Sequence, residues 1–321
     1  MSEVELIGPV VIRSPNWLGD SIMSMPAIRN VRKKFPQIKL TVATPDKLVD
    51  LWKLCPFIDE VISIPTPAKI FQVAQIYKAH RFATAILLPQ SLRVALEARL
   101  AGIPQIIGYQ GHFRSLLLHV AIPEPSLNWH RRHHQFYYHD LVKHLGVEEN
   151  LEFPELDIPE ANEVLNQIVI CPGAEYGPAK RWPAEKYGIL AQMLKELIDT
   201  NIVILGTPQD RPLGEIIRKY VPDAQNRCGE TSLYEFMHEV ARSRLVVCND
   251  SGAMHVASLL GVPTVAIFGS TDPEHTKPLG SRVRIVHKHV PCSPCFLKEC
   301  PIDFACMNQI EPDDIIQALQ E

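Results

Sequence analysis

Short apolar runs alternate with helical patterns along the chain, in two series separated by an acidic stretch. In the first half, β-rich runs predict strands at 10–15, 38–44, 60–64, 82–88 and 105–109, with helical patterns around 46–54 and 68–80. In the second half, the predicted strands are 168–170, 202–206, 244–248, 263–269 and 283–287, and the predicted helices lie near 184–199, 209–220, 231–242 and 251–260. Such alternation indicates an α/β fold with parallel sheets covered on both faces.

The length of the chain also suits two domains. Its 321 residues exceed one average domain and match two of roughly 150 residues each. Residues 147–167 are acidic and contain Pro154 and Pro159. They predict a crossing between an N-terminal domain at 1–155 and a C-terminal domain at 156–321, with a deep cleft expected between them.

Composition and charge narrow the classes of function. The net charge of −4 argues against a nucleic-acid-binding chain, because a polyanion partner would require a basic surface. No apolar run approaches the roughly 20 residues that cross a bilayer. The first residues lack the basic start and the cleavage site of a signal peptide. A cytoplasmic protein is therefore expected, and its eight cysteines are not expected to form a disulfide framework.

The stretch CPGAEYGPAKRWP, residues 171–183, is called here the Lys180 loop. It lies between a predicted strand and a predicted helix, and its small residues allow a ligand to approach the backbone. Lys180 and Arg181 supply adjacent positive charges. This combination is typical of a site for an anionic group. The alternative is an ordinary connection whose two cations are solvated.

A second loop, NDSG at 249–252, is called here the Asp250 loop. It opens a predicted helix whose first N–H groups suit a diphosphate. Asp250 would repel a phosphate and is better suited to accept hydrogen bonds from sugar hydroxyls. Simple capping of the helix is the alternative. Neither loop matches the dinucleotide fingerprint or the Walker A pattern, which argues against a dehydrogenase or an ATPase.

Asp20 follows Gly19 at the start of the first predicted helix. Its carboxylate is either an N-cap that accepts a backbone N–H or a general base in a ligand site. The two roles conflict, because capping bonds and the helix dipole favour the charged carboxylate and make it a weaker base.

Residues 110–146 are rich in cations and histidines. Arg114, Arg131 and Arg132 are candidates for binding an anionic, partly apolar partner such as a phosphorylated lipid head group. A solvated amphipathic helix is the alternative. The histidines of this region are at positions 130, 133, 134, 139 and 144. Metal binding by them is disfavoured, because no cysteine or carboxylate accompanies them at a useful spacing.

Four cysteines lie near the C-terminal end, at Cys292, Cys295, Cys300 and Cys306. The first two have the two-residue gap of many zinc sites, whereas the later gaps are looser. Structural zinc, a redox-labile loop and unbonded thiols are the three alternatives. A nucleophilic cysteine is disfavoured, because no histidine and carboxylate are arranged around one.

Several motifs together resemble one family. NWLGDSIMSMPAIR, LPQSLRVALEARLAGIPQIIGYQGHFRSLLL, CPGAEYGPAKRWP and NDSGAMHVA are similar, in the same order, to the ADP-heptose:lipopolysaccharide heptosyltransferases of glycosyltransferase family 9, and most of all to the heptosyltransferase II type. The similarity runs from about residue 10 to about residue 280. The cysteine-rich segment departs from the enterobacterial pattern. The resemblance implies a GT-B fold, two Rossmann-like domains facing a cleft, with acceptor binding in the first and ADP-sugar binding in the second.

The resemblance also implies roles for residues at the matched positions. Asp20 would be the general base on the acceptor hydroxyl, and Lys180 would neutralise the diphosphate as ADP leaves. Asp250 is expected near the donor sugar and Asp210 at the ribose. The implied donor-binding positions are Ala174, Glu175, Lys180, Arg181, Asp210, Asp250, Ser251, Gly252 and His255. The candidate acceptor-binding positions are Asn16, Arg114, Arg131 and Arg132.

The implied reaction is inverting transfer of L-glycero-D-manno-heptose from ADP-heptose to the lipopolysaccharide inner core. The acceptor would be a heptosylated Kdo–lipid A at the inner leaflet, which a chain without a transmembrane segment would meet as a peripheral protein. No D-x-D acid pair lies near either loop, so we expect catalysis without a metal. The alternatives are a transferase of the same family with another nucleotide sugar or acceptor, and a non-catalytic nucleotide-sugar-binding protein.

Overall fold

The computed structural model describes residues 4–111, 113–125, 132–156, 158–159, 161 and 163–320. The chain separates into two compact units, Met1–Leu156 and Asp157–Glu321. Throughout the described ranges, every helix is too short or too polar to span a bilayer.

The first unit contains a parallel sheet with the strand order β3-β2-β1-β4-β5-β6. Its strands are β1 (Val10–Arg13), β2 (Leu40–Pro45), β3 (Glu60–Ile64), β4 (Thr84–Leu87), β5 (Gln105–Tyr109) and β6 (Val120–Ile122). Its helices are α1 (Leu18–Lys34), α2 (Val49–Lys53), α3 (Ile70–His80), α4 (Leu92–Leu100) and α5 (Gln135–Lys143).

The centre of this sheet explains where the unit can bind a ligand. Strands β1, β2 and β4 are buried along their whole length, as expected for a sheet covered on both faces. β1 pairs with β2 on one side and with β4 on the other, so the strand order reverses at β1. Open α/β sheets bind ligands beyond the carboxyl ends of the strands at such a reversal. Helix α1 begins at this end of β1, and Asp20 lies in its first turn.

The second unit repeats this plan with the order β12-β11-β10-β7-β8-β9, again parallel. Its strands are β7 (Gln167–Cys171), β8 (Asn201–Ile204), β9 (Gln225–Asn226), β10 (Leu245–Asn249), β11 (Thr264–Phe268) and β12 (Val283–His287). Its helices are α6 (Ala184–Leu197), α7 (Arg211–Arg218), α8 (Leu233–Ala241), α9 (Gly252–Leu259), α10 (Pro273–Thr276), α11 (Ala305–Asn308) and α12 (Pro312–Gln320).

The strand order of the second unit reverses at β7, which pairs with both β10 and β8. The Lys180 loop follows β7, and the Asp250 loop follows β10. Because the carboxyl ends of adjacent parallel strands lie at the same edge of a sheet, the two loops are neighbours at the reversal point.

The predicted α/β class with two parallel sheets is confirmed. The predicted strands 60–64, 105–109 and 283–287 coincide with β3, β5 and β12. The first strand, predicted to reach residue 15, ends at Arg13, because Pro15 has no N–H to continue the ladder. Strands β6 and β9 were not predicted, because three and two residues are too few to show an alternating pattern.

Candidate active site

Two glycines confine the Lys180 loop between β7 and α6. A Cβ at Gly173 would lie 2.3 Å from the side chain of Asp210. Gly177 has a φ of 154°, and a Cβ there would lie 2.5 Å from the carbonyl oxygen of Lys298. Neither position accepts a larger residue without movement. A 3₁₀ turn at Pro178–Lys180 follows and brings Lys180 to the end of the sheet.

The cysteine-rich segment packs against this loop. The hydroxyl of Tyr176 donates to the carbonyl of Phe296 over 2.7 Å. The N–H of Ala179 donates to the carbonyl of Lys298 over 3.0 Å. Two main-chain carbonyls from near the end of the chain therefore hold the loop in place.

Asn249, the last residue of β10, joins the Lys180 loop to the Asp250 loop. Its side-chain oxygen accepts from the N–H of Trp182 and from the hydroxyl of Tyr187, each over 3.0 Å. Its amide nitrogen donates to the carbonyl of Pro172 over 2.7 Å. Asn249 is fully buried, so these bonds replace water and fix the two loops relative to each other.

Lys180 and Asp250 form an ion pair. The ammonium of Lys180 lies 2.5 Å from Oδ2 of Asp250, and the two side chains are only 12% and 4% exposed. The hydroxyl of Thr271 donates to the same carboxylate oxygen. The ammonium also lies 4.7 Å from the centre of the Tyr176 ring, a cation–π distance. The cation is therefore held at the end of the sheet in one orientation.

Helix α9 begins directly after Asp250. Ser251 occupies the N-cap position, and its side chain makes no capping bond. The side chain of Ser251 therefore does not cap this helix. Gly252 is the first helical residue, and His255 lies buried one turn later. The first N–H groups of a helix attract anions, so this end of α9 can contribute to an anion site beside Lys180.

The remaining predicted donor-binding residues lie around the same loops. Asp210 is buried, and its carboxylate accepts from the N–H and the hydroxyl of Thr207 over 2.9 and 2.7 Å. Arg181 donates from Nη2 to the carbonyl of Ala174 over 3.2 Å, and Glu175 is exposed. Asp210 thus caps a turn next to Gly173, and its contact with a ribose stays a prediction.

In the first unit, Asp20 is not an N-cap. Helix α1 begins at Leu18 with Trp17 at the cap position, so the capping alternative for Asp20 is wrong. Its Oδ1 accepts from the hydroxyl of Tyr138 over 3.0 Å and lies 3.2 Å from Nε2 of His134. Burial, followed by the charge of Asp20, raises the pKa of Tyr138 well above its usual value. Tyr138 is therefore protonated at neutral pH and can donate this bond.

The four candidate acceptor-binding residues differ in their surroundings. Asn16 is exposed and accepts from Arg13 over 2.8 Å. Arg114 is completely buried and donates to the carbonyls of Tyr109 and Pro89 over 2.7 and 2.5 Å. This burial argues against a direct contact of Arg114 with an acceptor phosphate. Arg132 is half-exposed and pairs with Asp140 over 2.9 Å. Arg131 lies outside the described residues.

The predicted cysteine site is a loop that holds both exposed and buried thiols. Cys292 is exposed and Cys306 is buried. Burial and the neighbouring thiols raise the pKa of Cys306. Over the described ranges, no group of three or more His, Cys, Asp or Glu side chains is arranged to hold a metal ion. The structure therefore adds no support for zinc, which stays a prediction.

The contacts of several residues at these sites were not predicted from the sequence. His134 and Tyr138 contact Asp20, and Asn249 and Thr271 fix the loop that carries Asp250. The spacing of His134 and Tyr138 was a usable signal, because residues four apart share one face of a helix. Nothing in the sequence indicated Thr271, which reaches Asp250 only through the packing of β10 beside β11.

Comparison with known proteins agrees with this arrangement. The profile of glycosyltransferase family 9 (heptosyltransferase) matches residues 70–305. The chain is 30% identical over 306 residues to lipopolysaccharide heptosyltransferase 2 of Escherichia coli K12, covering 86% of this chain and 87% of that protein. The solved structure of E. coli ADP-heptose lps heptosyltransferase II superimposes with a TM-score of 0.82 at 27% identity, over 97% of both chains.

A second solved structure supports the fold alone. The family 9 glycosyltransferase of Veillonella parvula superimposes with a TM-score of 0.81 at 20% identity, over 99% of this chain and 98% of that one. The fold is the expected GT-B fold. The chain therefore belongs to glycosyltransferase family 9, the heptosyltransferases, and is a glycosyltransferase.

Proposed function

We propose that the chain transfers L-glycero-D-manno-heptose from ADP-heptose to a heptosylated Kdo–lipid A, with inversion at the anomeric carbon. The 30% identity to a lipopolysaccharide heptosyltransferase 2 supports the donor and the acceptor class. The observation that carries the proposal is the ion pair of Lys180 and Asp250, two residues 70 positions apart. Both were matched from the sequence to the donor site of this family.

The second unit supplies the groups that a departing diphosphate requires. Negative charge builds on the leaving ADP as the bond between the anomeric carbon and the phosphate oxygen breaks. Lys180 and the first N–H groups of α9 supply fixed positive charge there. Because these groups carry that role, the proposed reaction requires no metal. Asp250 orients Lys180 through this ion pair, and its contact with the sugar stays a prediction.

The first unit supplies the base. Asp20 takes the proton of the acceptor hydroxyl while that oxygen forms its bond to the anomeric carbon. Among the candidate cations that the structure describes, we assign Arg132 to an acceptor phosphate. A lipid acceptor would bring the protein to the cytoplasmic face of the inner membrane as a peripheral protein.

Incubation of the purified protein with ADP-heptose and a heptosylated Kdo–lipid A tests the proposal. We expect one ADP to be released for each acceptor that gains one heptosyl group, scored by product mass. Thermal-shift measurements with ADP, UDP, GDP and CMP are made in parallel. Only ADP is expected to raise the melting temperature of the protein strongly. Turnover with a different nucleotide sugar would favour another activity within the family. Binding of ADP-heptose without any transfer would favour a non-catalytic binding protein.

A further inference from the structure

Asp20 is one corner of a closed triangle of polar side chains. Its Oδ1 lies 3.0 Å from the hydroxyl of Tyr138 and 3.2 Å from Nε2 of His134. The third side, from Nε2 of His134 to the hydroxyl of Tyr138, measures 3.2 Å. Tyr138 is 4% exposed, and the side chains of His134 and Asp20 are 17% and 29% exposed. The carboxylate is thus the corner that is most open to solvent.

The fold holds this triangle rigidly. His134 and Tyr138 are four residues apart at the start of α5, so they project from the same face, and α5 packs against α1, which carries Asp20. The His134 ring stacks on Tyr137 with centroids 5.4 Å apart and meets Tyr138 edge-on at 5.2 Å. Ring packing therefore sets the position of Nε2.

The number of protons that these three groups can share fixes the direction of each hydrogen bond. A tyrosine hydroxyl has one proton, and that of Tyr138 is donated to Asp20. The same oxygen can then only accept at the His134 contact, so Nε2 of His134 must carry a proton. His134 therefore donates from Nε2 toward Asp20 and Tyr138.

We infer that His134 is a positioning residue for the base, which holds the Asp20 carboxylate charged and correctly oriented toward the acceptor hydroxyl. The inference rests on the proposed function of Asp20. Hydrogen-bond donors to a carboxylate favour its charged form and make it a weaker base. The correct orientation of the carboxylate compensates for its weaker basicity, because a misplacement of about 1 Å can cost about 100-fold in rate. His134 is thereby assigned to the base and not to the acceptor phosphates.

Kinetics of four variants test this role, with the wild type as reference. In His134→Ala, kcat is expected to fall about 10- to 100-fold, while the KM for the acceptor and the affinity for ADP change less than about threefold. His134→Gln, whose amide N–H lies near the place of Nε2, is expected to restore most of the rate. Tyr138→Phe keeps the ring packing and is expected to lower kcat as well. His144→Ala, at the other end of α5, is the matched control and should match the wild type.

The pH profile of kcat/KM gives a second readout, one that a merely structural role would not move. The titratable groups shown facing Asp20 are His134 and Tyr138, with Tyr137 edge-on to Tyr138. Loss of a donor raises the pKa of a carboxylate, so the acid limb is expected to move to higher pH in His134→Ala and in Tyr138→Phe. If His134→Ala does not fold, His134→Gln and Tyr138→Phe carry the test.

Two results would overturn the inference while the wild type turns over: an unchanged kcat and acid limb in the variants, or a rise in the acceptor KM alone. The second would instead assign His134 to acceptor binding. A wild type that transfers no heptose would instead overturn the proposed function.

Discussion

At the scale of single residues, the ion pair of Lys180 and Asp250 places the positive charge that we assign to the leaving diphosphate. Both side chains are nearly buried, and breaking such a pair leaves one uncompensated charge out of water. The pair keeps Lys180 in place before a diphosphate arrives. Its loss is therefore expected to affect both folding stability and turnover, and the two effects can be separated.

Two variants separate the effect on folding stability from the effect on turnover: Lys180→Met alone, and Lys180→Met combined with Asp250→Asn. The single variant is expected to lose about 3 kcal/mol of unfolding free energy, because Asp250 is left buried without its partner, and about 100-fold or more in kcat. The double variant is expected to regain most of the stability and none of the turnover. Urea denaturation and ADP-release assays measure the two quantities. A double variant with restored turnover would refute the assignment of Lys180 to the leaving group.

The cysteines provide a second residue-scale prediction. Burial raises the pKa of Cys228 to about 12 and raises those of Cys171 and Cys248 further. A raised pKa leaves these groups as thiols at about pH 8, and the thiol form does not react with iodoacetamide. We expect native protein to be labelled first at exposed Cys292 and urea-unfolded protein at every cysteine. Labelling of Cys171 in the native protein at the rate of Cys292 would contradict this burial.

The sequence indicated the charged residues of the site but not the residues that hold them. Lys180, Asp250 and Asp20 were found because short loops between a strand and a helix carry chemistry in α/β folds. Their partners Thr271 and Tyr138 lie 21 and 118 positions away from Asp250 and Asp20. Those contacts depend on which strands and helices become neighbours, and periodicity does not contain that information.

At the scale of elements, the side chain of Asn249 links the carboxyl ends of β7 and β10 by hydrogen bonds. Its side chain bonds to the main chain of the Lys180 loop and to Tyr187 of α6. Without it, three polar groups would be left unpaired in a buried place, and each such group costs about 1–3 kcal/mol.

Asn249→Ala is therefore expected to lower the free energy of unfolding by about 3 kcal/mol and to weaken ADP binding, because the Lys180 loop loses its attachment. Denaturant unfolding and calorimetric titration with ADP measure the two effects. Asn201→Ala, at the exposed start of β8, is the control and should change stability by less than about 0.5 kcal/mol. If Asn249→Ala lowered the free energy of unfolding by less than about 1 kcal/mol, the two loops would have to be fixed by other contacts.

The elements themselves were largely predictable, because buried parallel strands are continuous apolar runs. β3, β5 and β12 have the bounds expected from the sequence. The connection between the Lys180 loop and the cysteine-rich segment was not predictable. Its hydrogen bonds are accepted by the main-chain carbonyls of Phe296 and Lys298, and a carbonyl is the same in every residue type.

At the scale of the whole molecule, the second unit alone is assigned to the nucleotide. Hydrogen–deuterium exchange of the full-length protein with saturating ADP tests that division. Bound ADP is expected to slow exchange at residues 171–183 and 249–256 and to leave β3 and α3 of the first unit unchanged, because a ligand stabilises the amides that it contacts. Protection confined to the first unit would reverse the assignment of the two units.

The role of Asp20 as the base is tested by measuring ADP release by Asp20→Asn, with the lipid acceptor and ADP-heptose at saturation. Asp50→Asn, another carboxylate in the first turn of a helix, serves as the control. We expect Asp20→Asn to bind ADP as the wild type does and to turn over at least about 100-fold more slowly, while Asp50→Asn is unaffected. Turnover of Asp20→Asn within about threefold of the wild type would contradict the claim that this carboxylate takes the acceptor proton.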